Sequence, residues 1–301
     1  MMQATNYYRR LKEDYSERFM NKIRAVAPAE HELYQSMLSL NDAQKFILPN
    51  GGRILDTKLR YLPDIVRLPY DEIIVEYSMT GFFNGPAERI YKESVSCSKR
   101  IAFAKQISDN LIVVNAAAFV DDIGKWCFTP FTALIHTAVD PATLSRPAFA
   151  NEISENEADS CPKVGVQILP HPHLLGKESP ADLEKRGMVD IGDEVAAVLS
   201  LIEALSCSNV FAETLPIKPL CRKAIKRGDK PFDEYKILSI RASESCSKDA
   251  ETGIGHASPR EHLRRGHIRR HPTAGNIWIN STVVNAGVGG VIRKTYKMEA
   301  A

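Results

Sequence analysis

The chain has 301 residues, 44% of them hydrophobic and 25% charged, which is ordinary for a globular protein and leaves room for one large domain or two smaller ones. Its net charge of +2 excludes a nucleic-acid binder recognisable by bulk charge, so any such reading must rest on local clustering. No apolar run reaches the ~18 residues of a membrane span, and six cysteines without a CxxC pair exclude a disulfide scaffold and a zinc knuckle.

The polar N-terminus lacks the apolar stretch of a secretory signal, so the chain is expected to stay in the cytoplasm. Residues 6–26 read as one helix, with Tyr8, Leu11, Tyr15, Phe19 and Ile23 recurring at helical spacing and Pro28 as its stop. A second helix is expected over 29–40. Asn41-Asp42 then looks like the cap of a short helix through Phe46. Residues 57–66 also read as helical.

The cleanest strand follows Leu68-Pro69-Tyr70. Ile73, Val75, Tyr77 and Met79 alternate with Ile74, Glu76 and Ser78. Further strands are expected over 88–95, 100–107, 111–120 and 126–139, with Ile101 and Phe103 inward. The connections are too short for helical crossovers, so the sheet should be mainly antiparallel. Residues 141–192 carry six prolines, Pro141, Pro147, Pro162, Pro170, Pro172 and Pro180, and read as an irregular loop region. It is acidic at Glu152, Glu155, Glu157 and Asp159, with Asp140 upstream.

An amphipathic helix is expected over 193–205, its stripe formed by Val195, Val198, Leu199, Ile202 and Leu205. After it come strands over 209–214 and 235–240, a short helix over 219–226 and a polar loop over 243–255. Strands over 266–270, 276–284 and 290–296 then form a C-terminal β-meander. The fold class is therefore α+β, with N-terminal helices, a mainly antiparallel mixed sheet and a C-terminal β region. The organisation reads as 1–140, 141–192 and 193–301, with one continuous domain as the alternative.

The chemistry concentrates in one segment. Between His256 and His271 lie Arg260, Arg264, Arg265, Arg269 and Arg270 together with His262 and His267, against Glu261 alone. On a strand, His267 and Arg269 share one face while Ile268 and Arg270 share the other, so Ile268 can anchor a basic surface. A guanidinium fork matches phosphate oxygens, and histidines add hydrogen bonds or proton transfer. Trp278 on the next strand is expected as an exposed stacking surface, which suits a single-stranded nucleic acid. Pairing of the arginines with the acidic loop is the competing structural reading.

A catalytic alternative uses His262 and His267 as acid and base in RNase-type phosphoryl transfer, with the arginines stabilising the charged intermediate. Elsewhere, Pro170-His171-Pro172-His173 offers two metal-ligating side chains without a third fixed by spacing, and reads first as a proline-restrained loop. Asp121-Asp122 reads as a turn cap. Glu76, a carboxylate among apolar neighbours, reads as paired with an arginine or facing solvent, or else as a base of raised pKa. Gly287-Val288-Gly289-Gly290 reads as a hairpin turn. No metal or cofactor is expected.

Ser258-Pro259-Arg260-Glu261-His262-Leu263-Arg264-Arg265-Gly266-His267-Ile268-Arg269-Arg270, followed by Ile277-Trp278-Ile279-Asn280 and Lys294-Thr295-Tyr296, resembles the C-terminal signature of a family of tailed-phage and prophage proteins. Leu68-Pro69-Tyr70 with Ile74-Val75-Glu76-Tyr77 is similar to the same family. So are the run from Ala204 to Val210, Arg227-Gly228-Asp229-Lys230-Pro231-Phe232, and Tyr235-Lys236-Ile237-Leu238. Asp229 departs from the more basic run expected there. The resemblance covers the second half of the chain well and the first half thinly. It implies phage origin, a place in the host cytoplasm and, by analogy, a role in host takeover or counter-defence. The expected partner is a nucleic acid or another polyanion, with an acidic surface of a host protein as the alternative.

Overall fold

The structure is a computed structural model that describes residues 5–54, 65–79, 96–137, 164–215, 234–240, 262–264, 267–273, 275–279 and 282–284. The strands expected over 88–95 and 290–296, the helix over 219–226, most of the helix over 57–66, the acidic stretch and the turn at Gly287–Gly290 lie outside these residues.

The described residues form an α+β fold. The N-terminal helical stretch divides into α1 (Tyr7–Asp14) and α2 (Glu17–Val26). Tertiary contacts account for the break. Asp14 Oδ2 accepts the Trp126 backbone N–H at 3.0 Å, the Tyr15 hydroxyl accepts that of Phe128 at 3.3 Å, and the Tyr15 ring meets Phe128 edge-on. These two residues serve the sheet, and the helix restarts after them. α3 (Pro28–Leu38) begins on Pro28, whose missing N–H costs nothing at a first helical position.

The short helix expected to run through Phe46 is instead a strand, β1 (Gln44–Ile47). Phe46, Ile47 and Leu48 are all buried, and a run apolar on both faces fits a central strand. β1 pairs in parallel with both β2 (Glu72–Ser78) and β9 (Tyr235–Ile240). Every other pairing in the sheet is antiparallel: β3 (Cys97–Ser108), β4 (Leu111–Val120), β5 (Lys125–Phe128), β6 (Phe131–His136), β7 (Gly165–Pro170) and β8 (Val210–Thr214). The order is β7-β6-β4-β3-β2-β1-β9-β8, with β5 beside β4. The strand expected over 126–139 is cut at Thr129-Pro130 into β5 and β6, which share β4 as partner.

The irregular reading of 141–192 fails over its described part, which holds β7 and the first half of α4 (Pro180–Leu205). Pro180 occupies the first turn rather than breaking the helix, and the Ser179 hydroxyl accepts the Asp182 backbone N–H at 3.2 Å as its cap. Gly187 is needed for packing: a Cβ there would lie 2.6 Å from Ile168 Cγ2. α4 thus lies flat on the sheet and runs without a break through residue 192.

The sheet separates two cores. Val75, Tyr77, Ala102, Val114 and Phe131 face α4, where Val195, Val198, Leu199 and Ile202 meet them. Ile74, Ile101, Phe103 and Phe128 face α1 to α3. The alternation in β2 thus assigns its residues to faces as expected. No described helix is long and apolar enough to cross a membrane.

Four C-terminal strands complete the described residues: β10 (His262–Arg264), β11 (His267–His271), β12 (Gly275–Ile279) and β13 (Thr282–Val284). β11–β12 nests inside β10–β13, so the stretch expected as one strand over 276–284 is shared by β12 and β13.

Candidate functional site

The basic segment forms the first arm of this nested hairpin. Ile268 sits directly opposite Trp278 and is 3% exposed, packed into the core beneath α4. Trp278 is half-buried against the same core, which corrects its expected role as an exposed stacking surface. Ile268 supplies the reason: two large apolar side chains paired across a ladder bury together. The second arm is tied down by hydrogen bonds. Asn209 Nδ2 donates to the Trp278 carbonyl at 2.8 Å, and Asn209 Oδ1 accepts the Trp278 N–H at 2.9 Å. Ser208 N donates to the Asn276 carbonyl at 2.9 Å, and Asn276 Nδ2 donates to Ser206 Oγ at 3.2 Å.

Arg269, the next residue after the anchor, is exposed and has no ion-pair partner among the described residues. His271 is engaged in the hairpin tip, where its Nδ1 accepts the Thr273 N–H at 3.3 Å. For Arg264, His267 and Arg270 the structure describes strand position alone, and Arg260 and Arg265 lie outside the described residues. His262 and His267 are not placed opposite each other. They lie on the same arm, facing Val284 and Ile279 across the ladder.

The second constellation was missed in the sequence. On the α4 face of the sheet, Arg100 Nη1 donates to Glu194 Oε1 at 3.0 Å. Tyr77 pairs with Arg100 across β2 and β3, and Tyr77 and Glu194 are both completely buried. Yet Tyr77 Oη, Arg100 Nε and Glu194 Oε2 are all buried and find no hydrogen-bond partner among the described residues. Burial first, and the Glu194 carboxylate second, drive the Tyr77 phenol well above its ordinary pKa. Burial raises the Glu194 carboxyl, and Arg100 only partly offsets it. The available signal was Glu194 itself, a charge on the apolar stripe of its helix.

Glu76 corrects a third expectation. It is completely buried rather than solvent-facing, and no arginine pairs with it among the described residues. Its carboxylate accepts the backbone N–H groups of Tyr7 and Tyr8 and the Tyr235 hydroxyl, each at 2.9 Å, and also the Thr5 hydroxyl. It therefore caps α1 from a distant strand, at the helix end that favours a negative charge. Burial raises its pKa against the pull of those four donors. Asp121 was expected to cap a turn, but its carboxylate instead holds the start of β3, accepting from Ser96 Oγ and from Ser98 N and Oγ.

The Pro-His-Pro-His segment leaves β7 and enters a single 3-10 turn, Pro172–Leu174. His173 Nδ1 lies 3.0 Å from Glu30 Oε1 of α3, and His171 Nε2 lies 3.3 Å from Thr132 Oγ1 of β6. Glu30 is buried, but hydrogen bonds from its own backbone N–H and from His173 outweigh that burial and lower its pKa. Burial, then the neighbouring His173, pushes His171 down to about 4. Among the described residues no three His, Cys, Asp or Glu side chains form a metal cage.

No protein-family model, curated protein or solved structure matches the chain. The site therefore stands on its own geometry. One part of that geometry is a basic strand anchored by Ile268, with Arg269 exposed beside it. The other two clusters are interior or semi-interior polar networks.

Proposed function

We propose that this chain is a phage accessory protein that binds nucleic acid or another polyanion through the outward side of its C-terminal hairpin, in host takeover or counter-defence. The observation that carries this reading is the contrast between two adjacent residues. Ile268 is locked into the core, and Arg269 beside it is exposed without a carboxylate partner among the described residues. Fixing the backbone in this way lowers the ordering cost of presenting a guanidinium to a phosphate.

Arg260, Arg264, Arg265 and His267 belong to the same segment and extend the cationic surface in this reading, whereas Arg270 alternates onto the strand face of Ile268. With Trp278 turned to the core, phosphate contacts rather than base stacking supply the affinity. The phage origin and the host-directed role rest on the sequence resemblance.

The test is fluorescence anisotropy with labelled DNA and RNA across a salt series. Several phosphate contacts give a steep fall of affinity with salt, and Arg269→Gln lowers the slope by about 1. Absence of binding at low salt overturns the reading. A partner retained from nuclease-treated bacterial lysate, with no nucleic-acid binding, favours an acidic host protein instead.

A further inference from the structure

The two faces of the C-terminal hairpin differ in a way that bears on the kind of polyanion it takes. Residues directly opposite each other in an antiparallel ladder point to the same face. Ile268 with Trp278, and Asn276 with its bond to Ser206 Oγ, mark the inward face of β11–β12. The outward face then carries Arg269 opposite Ile277, His271 opposite Gly275, and Ile279 two residues beyond Ile277.

Hydrogen-bond accounting makes this face a stiff ribbon. Asn209 takes both backbone groups of Trp278, and Ser208 takes the Asn276 carbonyl, so these groups point away from β11. Alternation along the ladder leaves Arg269 and Ile277 to bond to each other through their backbones. The guanidinium therefore stands on a paired backbone, and the connection between α4 and β8 holds the far edge of β12. At the tip, His271 Nδ1 accepts the Thr273 N–H. A Cβ on Gly275 would meet nothing within 4 Å, so that end of the outward face is open.

Arg269 is exposed on this face, and Ile277 and Ile279 are half-buried. Among the described outward residues there is no tryptophan, tyrosine or phenylalanine, and Trp278 points the other way. Single strands are held by stacking their bases on such rings. A two-stranded ribbon fits instead into the major groove of B-form DNA, which is about 12 Å wide. An arginine there reaches phosphate or a guanine edge, and apolar side chains meet the thymine methyl groups. The major groove of an RNA duplex is too deep and narrow to be read in this way. We infer, resting on the polyanion reading above, that the ligand is duplex DNA, entered at its major groove by the outward face of β11–β12 with Arg269, Ile277 and Ile279 in contact.

The experiment measures anisotropy of the full chain at low salt with labelled probes of one sequence: a DNA duplex, an RNA duplex and the corresponding single strands. The DNA duplex should bind more tightly than each of the others by about tenfold, the scale of one missing base-stacking contact. Dimethyl sulfate, which methylates guanine N7 in the major groove, should modify the bound DNA duplex less than the free one. Ile277→Trp puts an aromatic ring on the outward face of a strand that tolerates it, and circular dichroism verifies its fold. This variant should bind single-stranded DNA more tightly and the DNA duplex more weakly than the parent. An unchanged preference in Ile277→Trp overturns the assignment of this face. Equal affinity for all probes, a preference for single strands or for duplex RNA, or guanine N7 left unprotected overturns duplex DNA as the ligand and leaves polyanion binding standing. Absence of binding to every probe overturns both.

Discussion

Glu76 and Glu194 are both completely buried carboxylates, on opposite sides of the same sheet, and their surroundings differ sharply. Four donors reach Glu76: two backbone N–H groups of α1 and the hydroxyls of Thr5 and Tyr235. At Glu194 the Arg100 guanidinium reaches one oxygen, and among the described residues the second oxygen finds no partner. The contrast even divides neighbours in one strand, because Glu76 serves the first cluster and Tyr77 the second. A buried charge is therefore not one kind of feature. With its lone pairs filled it joins elements distant in sequence; with them unfilled it is a stored cost.

The largest expected effect comes from the filled site. Glu76→Gln keeps the size but replaces one acceptor oxygen with a donor that faces other donors. Chemical denaturation should register a loss of about 3 kcal/mol, the scale of a broken buried charged network. A loss below about 1 kcal/mol would show that α1 does not depend on this cap.

Next in size is the unfilled site. Glu194→Leu alone strands the Arg100 guanidinium, whose side chain keeps 13% exposure as a route to water. A loss of about 2 kcal/mol is expected, below the range for a fully enclosed partner. Adding Arg100→Leu should recover most of it, because the pair as a whole contributes little against an apolar replacement. If the double variant is as unstable as the single, the ion pair holds more structure than its geometry shows.

The sequence displayed one side of this comparison better than the other. Period-two patterning in Ile73 to Met79 assigned the faces of β2, because alternation reports burial directly. The helical stripe of α4 was equally plain from Val195 onward. Its first half was hidden, since Pro180 belongs to a proline-rich stretch that reads as irregular, whereas in the fold it occupies the first turn of the helix. β1 was hidden because four residues carry no period. The Ile268 anchor was legible from alternation, but the inward side of Trp278 depended on a cross-strand register that no local pattern contains. Glu76 meeting Tyr235, and Glu194 meeting Arg100, are long-range pairings of the same kind.

Two tyrosines sharpen the comparison with opposite signs. Tyr235→Phe removes a hydroxyl that donates to a buried carboxylate at 2.9 Å, and should cost about 1.5 kcal/mol. Tyr77→Phe removes a buried hydroxyl that finds no partner among the described residues, and should be neutral or stabilise by up to about 1 kcal/mol. Thermal denaturation of the two variants side by side is enough. Equal losses would mean that the Tyr77 hydroxyl is satisfied in solution.

The smallest expected effect is a slope rather than a step. Burial raises the Glu194 carboxyl above its ordinary 4.5, more than Arg100 lowers it. Just above that value the folded chain holds a proton that the unfolded chain has released. Stability then falls as pH rises, because the folded state binds more protons. The contribution is fully present below 4.5 and is lost as pH passes through the raised folded value. Glu194→Gln is neutral throughout and lacks this slope. Glu76, whose carboxyl is also raised, remains in parent and variant alike, so their difference isolates Glu194. Denaturation at a series of pH values should give a parent curve that declines relative to the variant. Parallel curves would mean that Arg100 fully offsets the burial of Glu194, and the two glutamates would then differ in geometry but not in charge.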